Sequence, residues 1–251
     1  MDKLSIKFLL WTFLIMIVCW GTCILCSLNG MKLTENYLLY IPYLLGGWSP
    51  TIASFISIKS NDKTKSFKNW LADIFDFKHS FLAYVTVVAL GVLFILPQCL
   101  ISGYKNGAPI YAVVFMIPMM LFGGGLEEAG WRYILQPELE KKYNFIISTL
   151  AVSVIWWLWH LPLFYIQGVP QNELNYLTFG VNILGLSFAL AVIRRIFKSV
   201  WLCVLFHCFV NSLSGIFVIN DNIWGNIFSA IILIFVSLVI LLFHHKNKKL
   251  Y

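Results

Sequence analysis

Charge is what this chain has least of. Only 12% of its 251 residues are Asp, Glu, Lys or Arg, and no stretch is polar enough to form a second, soluble domain. A chain that is 60% hydrophobic lies well outside the range of soluble globular domains. It contains no HExxH motif, and no Ser–His–Asp set offers a competing hydrolase chemistry. No internal or inverted repeat is visible, so a transporter built from inverted halves lacks its sequence signature. The six cysteines, Cys19, Cys23, Cys26, Cys99, Cys203 and Cys208, all sit in apolar runs and lack metal-site spacing with nearby histidines. They read as small buried hydrophobes, with Cys19, Cys23 and Cys26 on one helical stripe. Lys3 and Lys7 precede the apolar run Phe8 to Leu28. That run is too long for the core of a signal peptide and no small-residue cleavage site follows, so it is expected to be a retained first span.

What is present is apolar sequence in lengths near the ~20 residues that cross a bilayer as a helix. Eight candidate spans cover roughly 8–28, 37–58, 80–101, 110–130, 145–166, 174–193, 199–219 and 224–243. In lipid only helices and closed barrels satisfy their own backbone, and these runs are too long and too uniformly apolar for barrel strands. The expected fold class is therefore all-α: a polytopic transmembrane bundle of about eight helices, one integral membrane domain over 1–251. Pro42, Pro50 and the Gly46-Gly47 pair predict that the second span is kinked or broken. In the longest loop, Trp70, Leu71, Ile74 and Phe75 share a face, which predicts a short helix on the cytoplasmic surface.

The formal charge of +7 is a statement about topology, not nucleic acid. Lys3, Lys7, Lys59, Lys63, Lys65, Lys68, Lys78, Lys141, Lys142, Arg194, Arg195, Lys198, Lys246, Lys248 and Lys249 fall on one side of an eight-span layout. The other side receives only Lys32 and Lys105, and Arg132 belongs to neither. This asymmetry predicts both termini in the cytoplasm. The Lys-, Ile- and Phe-rich composition points to an AT-rich bacterium, hence a plasma membrane location.

Two adjacent carboxylates interrupt the apolar pattern in Gly123-Gly124-Gly125-Leu126-Glu127-Glu128-Ala129-Gly130-Trp131-Arg132. An ionisable group within a membrane segment is a functional-site hypothesis by default. On a helix Glu128 and Arg132 stand at i,i+4 and can pair. Glu127 lies on a different stripe, with Gly123 and Gly130, where another helix or a substrate backbone could come close. It has no partner in its own helix, which suits a general base. The alternative is a cytoplasmic helix end with solvated charges, since Glu138, Glu140, Lys141 and Lys142 follow.

Two histidines bear on that choice. Trp156 and His160 share a face at i,i+4 in Ile155-Trp156-Trp157-Leu158-Trp159-His160, and His207 and Asn211 do so in the seventh span. A lone histidine among tryptophans is most often a packing residue. Depth argues for them jointly. Glu127 lies some 15 residues before the turn near Lys142 and His160 some 18 after it, so at ~1.5 Å per residue both stand roughly 23–27 Å from that turn. A buried cluster of Glu127, Glu128, Arg132, His160, His207 and Asn211 on three helices is too costly in lipid to be incidental. A proton-coupled transporter would also place Glu and His in a membrane, and remains a rival.

At these residues the sequence resembles the CPBP, or CAAX-protease and bacteriocin-processing, family of intramembrane proteases, which includes the type II CAAX prenyl endopeptidases. Glu127 to Arg132 fits its EExxxR motif. Trp156 to His160 is similar to FxxxH with Trp for Phe, and His207 to Asn211 is similar to HxxxN. The resemblance covers about residues 45–220. It implies an endopeptidase in which Glu127 and His160 activate a water, while His207 and Asn211 stabilise the oxyanion and Glu128 and Arg132 support them. It implies a peptide or membrane-protein substrate in the bilayer, or, where the peptidase is dispensable, an immunity or binding partner. No cofactor is required by this reading. A divalent metal such as zinc would take Glu127, His160 and His207 as its candidate ligands. Reporter fusions at residue 170 and after Tyr251 should report opposite sides of the membrane; the same side for both would remove the eight-span layout.

Overall fold

The computed structural model describes residues 2–61, 65–220 and 222–248, excluding the side chains of 245–248. Lys63 and Lys249, and the side chains of Lys246 and Lys248, on which the charge asymmetry partly rests, lie outside that description. The fold is a helical bundle: α1 (Lys3–Leu28), α2 (Tyr40–Gly47), α3 (Ser49–Asn61), α4 (Phe67–Ile74), α5 (Phe81–Ser102) and α6 (Val113–Phe122). An irregular helix, α7, then covers Gly125–Glu140. It is followed by α8 (Phe145–His160), α9 (Tyr176–Phe197), α10 (Val200–Ile216) and α11 (Ile223–Lys248). A two-stranded antiparallel ribbon, Tyr104–Asn106 with Phe217–Ile219, ties the loop after α5 to the end of α10.

All eight expected spans contain helix, but the count of eight crossings is not what the lengths give. Among the described residues, five helical stretches are long and apolar enough to cross a membrane: Lys3–Leu28, Phe81–Ser102, Phe145–Tyr165, Tyr176–Phe197 and Ile223–His244. A sixth crossing arises if Ile110–Phe122 and Gly125–Glu140, bent by 46°, are taken together. Tyr37–Gly47 and Val200–Ile216 are shorter. The second expected span is broken at Trp48, between the Gly46-Gly47 pair and Pro50, which suits the second position of a new helix.

Packing follows the sequence stripes. In α1, Phe8, Thr12, Met16, Trp20 and Cys23 are buried in steps of three and four, and the opposite face exposes Leu10, Leu14, Ile17 and Leu25. Of the cysteine stripe only Cys23 is buried, with Cys19 and Cys26 partly so. Phe81, Leu100, Phe115, Phe235 and Leu242 are likewise exposed on other helices. So much outward apolar surface belongs in contact with lipid, and the protein is an integral membrane protein. The expected loop helix forms as α4, capped by the Ser66 side chain, which accepts from the Asn69 amide at 3.1 Å. Its apolar face turns onto the protein: Trp70 and Ile74 are buried, and the Trp70 indole donates to Ser54 Oγ of α3 at 3.1 Å.

The fourth expected span is not one continuous helix. It ends at Phe122 and restarts at Gly125, with Gly124 at φ +140°, a conformation L side chains rarely adopt. Broken backbone at membrane depth needs other donors for its freed carbonyls. They come from neighbouring elements. Trp48 Nε1 donates to Phe122 O at 2.8 Å, Asn211 Nδ2 to Gly123 O at 3.3 Å, and Thr51 Oγ1 to Leu126 O at 2.7 Å. Thr51→Val keeps the shape and removes one donor. It should lower the stability of the purified protein by about 1 kcal/mol. A melting curve unchanged from the parent would show that water satisfies this carbonyl instead.

Candidate functional site

The break in backbone decides where the two glutamates point. α7 opens with a 3₁₀ turn, Gly125–Glu127, continues as Glu128–Gly130, widens into a π turn over Trp131–Leu135, and closes as Gln136–Glu140. Such local π geometry recurs at functional sites. Gly130 lets α1 and α3 come close, since a Cβ there would meet Pro50 and Phe8 at 2.7 and 2.8 Å. The side of α7 free of side chains is thus filled in part by two other helices. Glu127 and Glu128 project into different surroundings.

Glu127 lines a cavity of about 150 Å³ between α2, α6, α7, α8, α9 and α10. His160, His207 and Asn211 line the same cavity, as do Trp156, Trp159 and Gly124. All four residues expected to do chemistry are therefore brought together. Glu127 Oε2 accepts a hydrogen bond from Trp156 Nε1 at 2.8 Å. His160 Nδ1 lies 2.8 Å from Trp156 O. A carbonyl can only accept, so Nδ1 carries the proton and Nε2 is left as the acceptor nitrogen of the neutral ring. Trp159 and Phe179 hold that ring edge-on, at centroid distances of 4.7 and 4.9 Å.

His207 is held from the other side. Its Nδ1 faces Glu128 Oε1 at 2.9 Å, and so donates there. Its Nε2 turns toward Gly124. A Cβ built on Gly124 would stand 2.8 Å from Asn211 Nδ2, 3.0 Å from His207 Nε2 and 3.5 Å from Glu127 Oε1. Polar atoms from α7 and α10 therefore converge on one point, and the absent side chain of Gly124 leaves it open.

Glu128 and Arg132 form the i,i+4 ion pair at 3.6 Å, Oε2 to Nε, and neither is exposed at all. Glu127, His160 and His207 keep 7, 7 and 8% exposure, so the cavity reaches them but not the pair. The Arg132 guanidinium also lies 5.3 Å from the centroid of the Trp156 ring and donates to Ser187 Oγ at 3.4 Å. The Glu128–His207 contact was not visible in the sequence, because it joins residues 79 positions apart on two helices. The indole donor of Trp156, and Tyr43, Trp48 and Gln171 in the cavity wall, also carry no periodic signal.

The candidate zinc ligands Glu127, His160 and His207 border one cavity. Among the described residues, however, no group of three or more His, Cys, Asp or Glu is arranged to hold a metal ion.

The family model for Type II CAAX prenyl endopeptidase Rce1-like matches residues 109–213, which include Glu127, Glu128, Arg132, His160, His207 and Asn211. A relative, CAAX prenyl protease 2 of Methanococcus maripaludis, is 23% identical over 94% of this chain and 92% of its own length. Both matches are to CAAX prenyl endopeptidases, so the chain is similar to such proteases over the residues that carry the cavity.

Pairing and chemistry should separate on substitution. Glu127→Gln keeps an acceptor for Trp156 and should change thermal stability little. Arg132→Ala strands the buried Glu128 carboxylate and should cost about 3–5 kcal/mol. Thermal denaturation of the two variants checks this, and the reverse order would exchange the roles of Glu127 and Glu128.

Proposed function

Since both comparisons support the CPBP family of CAAX proteases, we propose that this chain hydrolyses a peptide bond with a water activated by Glu127 and His160. The catalytic core is residues 45–220 of a single membrane domain, set in a bacterial plasma membrane with both termini cytoplasmic. The observation that carries the reading is the convergence beside Gly124 of Asn211 Nδ2, His207 Nε2 and Glu127 Oε1. Two nitrogens and one carboxylate oxygen within hydrogen-bonding reach of one point are what a tetrahedral intermediate needs: donors for its oxyanion and a base for the attacking water.

In this mechanism Glu127 Oε1 takes the proton of the water as its oxygen attacks the scissile carbonyl. The new C–O bond forms as the carbonyl π pair moves onto oxygen. Asn211 Nδ2–H and His207 Nε2–H, the latter while the ring is protonated against Glu128, stabilise that oxygen. The proton held by Glu127 then passes to the leaving amine, directly or through His160, as the C–N bond breaks. Glu128 orients His207, and Arg132 offsets the charge of Glu128. The mechanism uses no metal.

A quenched peptide ending in a farnesylated cysteine and three further residues is the probe, chosen from the names of the matching family and relative. Glu127→Gln should abolish its cleavage. Asn211→Ala should slow turnover by ~10²–10³-fold with little change in KM, the usual loss for one oxyanion donor. His160→Ala should be more damaging than Asn211→Ala. Turnover should survive prolonged chelation, with no metal found by elemental analysis. Inactivation by a chelator and recovery with zinc would replace the glutamate mechanism by a metal-dependent one. Cleavage of the peptide without its farnesyl group at equal efficiency would remove the prenyl requirement while leaving the peptidase.

A further inference from the structure

We propose that Trp156 is a positioning residue for Glu127, its indole N–H selecting which carboxylate oxygen faces the reacting atoms. This inference rests on the reading of Glu127 as the base. A carboxylate has two equivalent oxygens, and a base in a cavity works best when one is fixed in place and the other left free. Trp156 Nε1 holds Oε2 at 2.8 Å, and it is Oε1 that stands 3.5 Å from the point beside Gly124. The division of labour between the two oxygens is therefore present in the geometry.

The indole is itself immobilised. Trp156 is 1% exposed. Its ring carries the Arg132 guanidinium at 5.3 Å, and contacts the His207 and His160 rings at centroid distances of 5.5 and 5.6 Å. Its backbone carbonyl fixes the tautomer of His160. One residue thus touches Glu127, His160, His207 and Arg132. The sequence has Trp where the motif it resembles has Phe, and a phenyl ring fills similar space but donates nothing. A packing role alone would ask for an aromatic ring. The hydrogen bond to Glu127 asks for the indole nitrogen.

The experiment separates ring from donor. Trp156 is replaced by 3-benzothienylalanine, an isostere with sulfur in place of N–H, and turnover of the farnesylated peptide is measured. The loss of a hydrogen bond to a charged group should lower kcat by ~10–100-fold. KM should stay within about twofold, because binding is not what the donor serves. Trp156→Phe should lose at least as much. Wild-type kcat in the isostere, with Glu127→Gln inactive, would overturn the positioning role and leave Glu127 as base. Turnover retained in Glu127→Gln would instead remove the base and this inference with it. A second readout needs no substrate: the indole ¹⁵N–¹H resonance of Trp156, assigned by its loss in Trp156→Phe. It should lie downfield and move upfield in Glu127→Ala, and an unmoved resonance would overturn the proposal.

Discussion

A fully buried carboxylate, Glu128, held between Arg132 and His207, is the constraint on which the rest depends. An unpaired charge at such a position would be strongly unfavourable, and a buried pair is tolerated only where further polar contacts surround it. Arg132 supplies the opposite charge at 3.6 Å and His207 a donor at 2.9 Å. The first contact is internal to α7, and the second locks α7 to α10. It also fixes the rotation of the imidazole, so that its second nitrogen can face only one way. A carboxylate that touches no cavity thereby sets the geometry of one that does.

The second constraint is the broken backbone at Gly123-Gly124. The continuous helix expected over 110–130 is interrupted between Phe122 and Gly125. Breaking it frees carbonyls that lipid cannot satisfy. Trp48, Thr51 and Asn211 satisfy three of them. Asn211 therefore meets both the backbone of α6 and the point beside Gly124. The broken second span, with Trp48 at its break and Thr51 just after, has a reason to be broken: it delivers donors to the break in the fourth.

The sequence made the class of fold and the polar residues legible, because both follow from local rules. Hydropathy and length find helices in lipid, and charged or polar side chains within apolar runs stand out against them. It also made the Glu128–Arg132 pair legible, since i,i+4 spacing is local. Beyond that it was silent for physical reasons. The break after Phe122 depends on donors from α3 and α10, which no window of α6 contains. The Glu128–His207 contact depends on how α7 and α10 are placed. Trp156 looked interchangeable with Phe because periodicity registers the ring and not the nitrogen. Helix length and apolarity support five or six of the eight expected crossings, because apolarity alone does not separate a crossing from a shorter helix packed among others.

In the proposed mechanism Glu127, His207 and Asn211 act on one tetrahedral centre beside Gly124. A structure of the protein with a phosphinate analogue of a CAAX-type peptide tests it most directly. One phosphinyl oxygen should lie within hydrogen-bonding distance of His207 Nε2 and Asn211 Nδ2, and the other within reach of Glu127 Oε1. A phosphinate seated elsewhere, with neither oxygen near these three atoms, would contradict the claim.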